Sequence, residues 1–165
     1  MDPTVAPGNE RERTLLGMLL GVDPGGSPAP ERRYMSMYGL VLDQGRFWTP
    51  NPFPDAWEGF QGEQTWCFMA SGRMADNIPE LHYVEGYAFS GDFDFPIGHA
   101  WCARSDGRVV DPTWGDAGTA YYGVALTQAF RRLQHDPLLG QTSTLVQVAP
   151  SDLLEHGLPK TARAP

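Results

Sequence analysis

A chain of 165 residues with 41% hydrophobic and 12% aromatic content is long enough to bury one packed core without a covalent staple. Its net charge of −8, from 12 basic and 20 acidic residues with no Lys/Arg-rich run, excludes broad binding to a nucleic-acid backbone. Two cysteines make no disulfide framework and no apolar run nears the ~20 residues of a membrane span, so a cytoplasmic protein with no membrane partner is expected.

Residues 1–33 read as an irregular extension ahead of a single domain over 34–165. Within the extension, Asn9 with Glu12 three positions later caps a short helix through Leu20, with Leu15, Met18 and Leu19 on one face. The Pro/Gly run VDPGGSPAPE ends it. Residues 34–48 read as two short strands around Asp43, Gln44 and Gly45, and the proline-rich TPNPFPDAWEGF that follows is expected to be irregular. Trp48, Phe53, Trp57 and Phe60 fall in that loop, where they tie it to the core or wall a substrate channel.

Thr65 caps a helix over 66–77, with Cys67, Ala70, Met74 and Ile78 on one stripe and Pro79 as its stop. LHYVEGYAF is a strand in which Leu81, Tyr83, Glu85 and Tyr87 share a face; an arginine such as Arg73 or Arg104 is the expected partner of Glu85. Beyond the turn-rich SGDFDFP, the stretch GHAWCARSDGRVVDPTW supplies two strands and YYGVAL another. Thr127 caps a helix over 128–134, Asp136 and Pro137 end it, and TLVQVAP is a last strand. Helices first and antiparallel strands after make the fold class α+β.

Whether His99 and Asp111 meet depends on loop parity, because strand side chains alternate between faces. A two-residue turn at Asp106 and Gly107 sets Asp111 against Cys102, on the face away from His99. A three-residue loop over 105–107, with Gly107 left-handed in a G1 bulge, sets Asp111 against Trp101 and makes it a diagonal neighbour of His99. The odd loop is the one expected. It turns Cys102 to the opposite face and leaves Cys67 as the candidate nucleophile. A thiol at a helix start is favoured as thiolate by the dipole and by a nearby imidazolium, and the first-turn N–H groups there suit an oxyanion.

TWCFMA, YVEGYA, HAW and VVDPTW, in this order over residues 60–125, resemble the transglutaminase-like superfamily, thiol enzymes related in architecture to papain-like proteases. The resemblance implies a cysteine helix packed on an antiparallel sheet. It also implies a triad of Cys67 as nucleophile, His99 as general base and acid, and Asp111 as orienting acid. Gln61, six positions before the cysteine, has the offset of the papain-like oxyanion glutamine; Trp66 stands where family members usually have a small residue. Trp66, Trp101 and Trp114 are candidates for the substrate cleft.

The implied activity is thiol-dependent acyl transfer or hydrolysis of a peptide or small amide or thioester, with no cofactor and no metal. The alternative is a noncatalytic binding or assembly module on the same scaffold. A metal site of His99, Cys102 and Asp111 is a weak third reading, since the odd loop splits the three residues across two faces.

Overall fold

The Asn9 side chain accepts the Glu12 N–H and starts helix α1 (Glu10–Val22), while the Glu12 carboxylate accepts the Gly8 N–H at 2.6 Å. The expected pair of capping residues is therefore in use on both sides of the helix start. The computed structural model describes residues 6–25, 31–91, 93, 95–133, 135–136, 138, 140–147 and 151–165; the linker residues 26–30 lie outside this set. Leu15, Leu16 and Leu19 are buried, whereas Met18, expected on their face, is exposed.

The first strand expected within 34–48 is instead a helix, α2 (Met37–Gln44). Ser36 caps it by accepting the Gly39 N–H at 3.1 Å, and Met37, Leu40 and Val41 enter the core at helical spacing. The second is present as β1 (Arg46–Trp48). Trp48 belongs to this strand rather than to the proline-rich loop, and its indole N–H donates to the Gly123 carbonyl at 3.0 Å. The loop is not wholly irregular: it holds a 3-10 helix, Asp55–Phe60.

Strands β2 (His82–Ser90), β3 (Ile97–Ala103), β4 (Val109–Val110) and β5 (Gly118–Leu126) join β1 in one antiparallel sheet of order β1-β5-β2-β3-β4. Its two edges meet. Thr49, just past β1, donates its N–H to the Gly107 carbonyl at 3.0 Å and accepts the Val109 N–H at 2.9 Å, so the sheet curls nearly into a barrel. Trp48, Val84, Ala88, Trp101, Val109 and Tyr121 fill the inside.

The outer face is covered by α1 and α2 against β5, and by α3 (Cys67–Asn77) against β3 and β2. Leu15, Leu40, Phe68, Tyr87, Tyr122 and Val124 pack there, each large apolar side chain worth about 1.5–3 kcal/mol for its burial. Gly86 sits between His99 and Gly123 in the sheet, and a Cβ on it would come within 2.2 Å of the Tyr122 carbonyl oxygen. Only glycine fits that position.

Helix α4 (Gln128–Arg132) is capped by the Thr127 side chain as expected; Gln134 and Pro137, the rest of its expected end, lie outside the described residues. Short strands β6 (His135–Asp136) and β7 (Gly140–Gln141) pair with each other. Residues 144–147, expected in a last strand, form a bend; 148–150 lie outside the described residues. After α5 (Ser151–His156) the chain returns to β5, where the Ala164 N–H donates to the Ala125 carbonyl at 2.9 Å. The architecture is a mixed α+β arrangement of helices on a curled antiparallel sheet. Among the described residues no helix is long and apolar enough to cross a membrane.

Candidate active site

The β3–β4 connection is the three-residue loop. Cys102 pairs with Val110 and Ala103 with Val109, the Arg104 N–H donates to the Arg108 carbonyl at 2.9 Å, and Gly107 closes the turn at φ +86 with its N–H on the Arg104 carbonyl. Continuing that register sets Asp111 opposite Trp101 and on the side of His99. The His99 Nε2–H donates to Asp111 Oδ2 at 2.7 Å, with both side chains buried.

The residues around Asp111 hold its carboxylate in place. Oδ1 accepts the Thr113 N–H at 2.9 Å, the Thr113 hydroxyl at 3.0 Å and the Trp114 N–H at 3.0 Å. Oδ2 accepts the Tyr121 hydroxyl at 2.9 Å as well as the imidazole. Burial alone would raise the pKa of this acid; the His99 charge and hydrogen bond, together with the Trp114 and Thr113 N–H groups, hold it below the ordinary carboxylate value. Asp111 therefore stays ionised and fixes the tautomer of its histidine.

Cys67 is the first residue of α3. Thr65 is not the cap: a 3-10 turn, Gln64–Trp66, runs directly into the helix, and Trp66 at the cap position makes no side-chain cap bond. Among the described residues β4 pairs with Cys102 and Ala103 alone, which leaves the outer edge of β3 without a strand partner from Trp101 toward Ile97. One turn after Cys67, the Ser71 hydroxyl donates to the Ala100 carbonyl at 3.0 Å, pinning α3 beside His99. The Cys67 thiol lies close enough to the His99 ring to favour its protonated form. Because Nε2 is engaged by Asp111, Nδ1 is the nitrogen left for the sulfur.

Burial lowers the pKa of His99, but the charge and hydrogen bond of Asp111 and the nearby Cys67 outweigh it and raise it from 6.5 to about 9. The imidazolium is thus the favoured form at neutral pH. Trp114 covers the ring, with centroids 3.8 Å apart and planes within 11°.

The three cleft tryptophans separate. Trp66 is 45% exposed and Trp114 is half-buried at the site, but Trp101 is fully buried and forms no part of a cleft. It alternates with His99 onto the same inner face, where Gly123 makes room for it: a Cβ there would come within 2.8 Å of the indole. Gln61 is exposed and lines a cleft with Pro112, Thr113 and Trp114. Cys102 lies with Met74, Ile78, Leu81 and Val110, and its thiol donates to the Ser71 carbonyl at 3.3 Å. Burial pushes the Cys102 thiol pKa far up, which keeps it inert.

Two residues escape the sequence reading. Tyr121, within the YYGVAL strand, has a hydroxyl that is the second donor to Asp111 Oδ2; the signal was its inward parity on β5 together with Gly118, where a Cβ would overlap the Tyr121 hydroxyl. Among the described residues Glu85 has no arginine partner. Its carboxylate accepts from Tyr83 and from residues 143–146, while Arg73 lies over Phe60 and Arg104 over Trp57.

Comparison with protein-family models, with characterised proteins and with solved structures finds no match to this chain.

Proposed function

We propose that this chain is a thiol acyl-transfer enzyme of the transglutaminase-like kind, with Cys67 as nucleophile, His99 as general base and acid, and Asp111 as the orienting acid. One observation carries the reading: the His99 ring lies between an acid and a thiol, with Nε2 2.7 Å from Asp111 and Cys67 near enough to favour the ring's protonated form. The substrate class is a peptide or small amide or thioester, and water is the acyl acceptor.

In the forward step the Cys67 proton passes to the His99 ring and the sulfur forms a bond to the carbonyl carbon, while the carbonyl electron pair moves onto oxygen. As the tetrahedral species collapses, the bond to the leaving group breaks and the His99 imidazolium gives an amine its proton. His99, now neutral, takes a proton from water, which attacks the thioester carbonyl and releases the thiolate. Candidate donors to the oxyanion are the Cys67 N–H at the start of α3 and the Gln61 amide.

A second reading, a noncatalytic binding module, is favoured by the burial of Cys67, 6% exposed, behind a Trp66 that is 45% exposed. Iodoacetamide labelling near neutral pH separates the two. An acyl-transfer enzyme labels at Cys67 much faster than at Cys102, and the advantage disappears in His99→Gln. Equal, slow labelling of both cysteines leaves the binding module. On a substrate, Cys67→Ala abolishes turnover while the chain stays folded; full turnover by that variant refutes the assignment.

A further inference from the structure

Glu85 lies at the centre of β2, fully buried, and the acyl-transfer steps do not use it. Its Oε1 accepts the N–H groups of Thr144 at 2.9 Å, Leu145 at 2.6 Å and Val146 at 3.0 Å, and also the Ser143 hydroxyl. Oε2 accepts the Tyr83 hydroxyl at 3.0 Å and shares the Thr144 N–H at 2.9 Å. The Ser143 hydroxyl in turn accepts the N–H groups of Val146 at 3.1 Å and Gln147 at 2.9 Å. Successive backbone N–H groups converging on one oxygen form an anion-binding nest, here filled by the protein's own carboxylate. That is why 144–147 bends although its side chains suit a strand.

The loop held in this way is a wall. Thr142, Ser143 and Gln147 face Trp66, Phe68 and Met69 across a groove of about 170 Å³, which opens beside the residues flanking Cys67. None of its described lining residues is charged. At its other end the loop reaches the neighbour of His99: a Cβ on Gly98 would come within 3.1 Å of Val146.

We infer that Glu85 is a positioning residue whose buried carboxylate shapes residues 143–147 into one wall of an uncharged, aromatic-faced groove, and that this groove takes the apolar side of the acyl substrate beside Cys67. The inference rests on the acyl-transfer reading for the identity of that substrate, and its test does not depend on the thiol. Arg131 lies over the Tyr83 ring with its centre 4.8 Å from the centroid, and is itself bonded to Asp76 and Gln141; burial raises the pKa of Glu85, and its carboxyl oxygens are met by hydrogen bonds rather than by a cation.

The probe is benzamide, an uncharged aromatic amide, titrated while the NMR signals of the Met69 methyl and the Trp66 indole are followed. Wild type and Cys67→Ala show the same saturable shifts. Glu85→Gln weakens binding about tenfold, because an amide cannot accept the full set of N–H groups, and Ser143→Ala weakens it less. Iodoacetamide, too small to use the groove, labels Cys67 of Glu85→Gln within about twofold of the wild-type rate. Should Glu85→Gln fail to fold, Ser143→Ala carries the same comparison. Wild-type affinity in the folded variants, benzamide that moves neither signal, or labelling that falls in step with affinity would overturn the inference. Labelling of His99→Gln at the wild-type rate refutes the acyl-transfer reading alone, and the benzamide comparison still decides the role of Glu85.

Discussion

The imidazole of His99 and the indole of Trp114 lie face to face, with centroids 3.8 Å apart and planes within 11°. An aromatic face against an imidazolium favours its charge and shields its bond to Asp111 from water. Trp114→Leu is expected to slow iodoacetamide labelling of Cys67 about tenfold and to shift the alkaline limb of its pH profile downward. Trp114→Phe keeps part of the stack and is expected to fall between the two. A profile unchanged in Trp114→Leu would show that the stack is packing only.

His99 also links stability to pH. Its folded pKa of about 9 lies above the free value of 6.5, so the contribution is fully present below pH 6.5 and is lost as pH rises through 9. From the size of that shift, wild type is expected to lose about 3 kcal/mol over this window. Urea unfolding at several pH values should show the loss in wild type and not in His99→Gln. Asp111, held below its ordinary value, has the opposite sign: its contribution is present above the usual carboxylate pKa and is lost only in acid.

Tyr121→Phe removes a hydroxyl that donates to Asp111 at 2.9 Å inside the core. The cost is expected to be about 1–3 kcal/mol, measured by denaturant unfolding, with a smaller drop in Cys67 reactivity because His99 still meets the carboxylate. Gly118→Ala is expected to be worse, since its Cβ would overlap the Tyr121 ring as well as the hydroxyl.

Cys102→Ala should cost about 1 kcal/mol for the lost packing and the bond to the Ser71 carbonyl, while labelling of Cys67 and any turnover stay at wild-type levels. Loss of activity with stability intact would bring Cys102 back as a functional thiol.

Legibility in the sequence follows the range of the interaction. The turn at residues 105–107 is local chemistry, and parity alone carries Asp111 to the side of His99, so that relationship could be worked out residue by residue. The capped start of α1 is local too. Residues 34–44 are a short apolar run in which strand and helix periods compete; the cap at Ser36 is what decides for the helix. Residues 144–147 have strand-like letters, but their bend is imposed by Glu85, about sixty positions earlier, and no local pattern contains that. The burial of Trp101 likewise depends on the space left by Gly123 on a different strand.

Exposed hairpin tips are where proteins ordinarily accept an inserted or deleted residue. The tip formed by Ser105, Asp106 and Gly107 is an exception, because its length is a count that must stay odd. Removing one residue there would leave the strands able to pair, yet it would send Asp111 to the far side of the sheet from His99. A solvent-facing turn thus acts as the register pin of the His99–Asp111 pair, and a change of its length would part the two side chains.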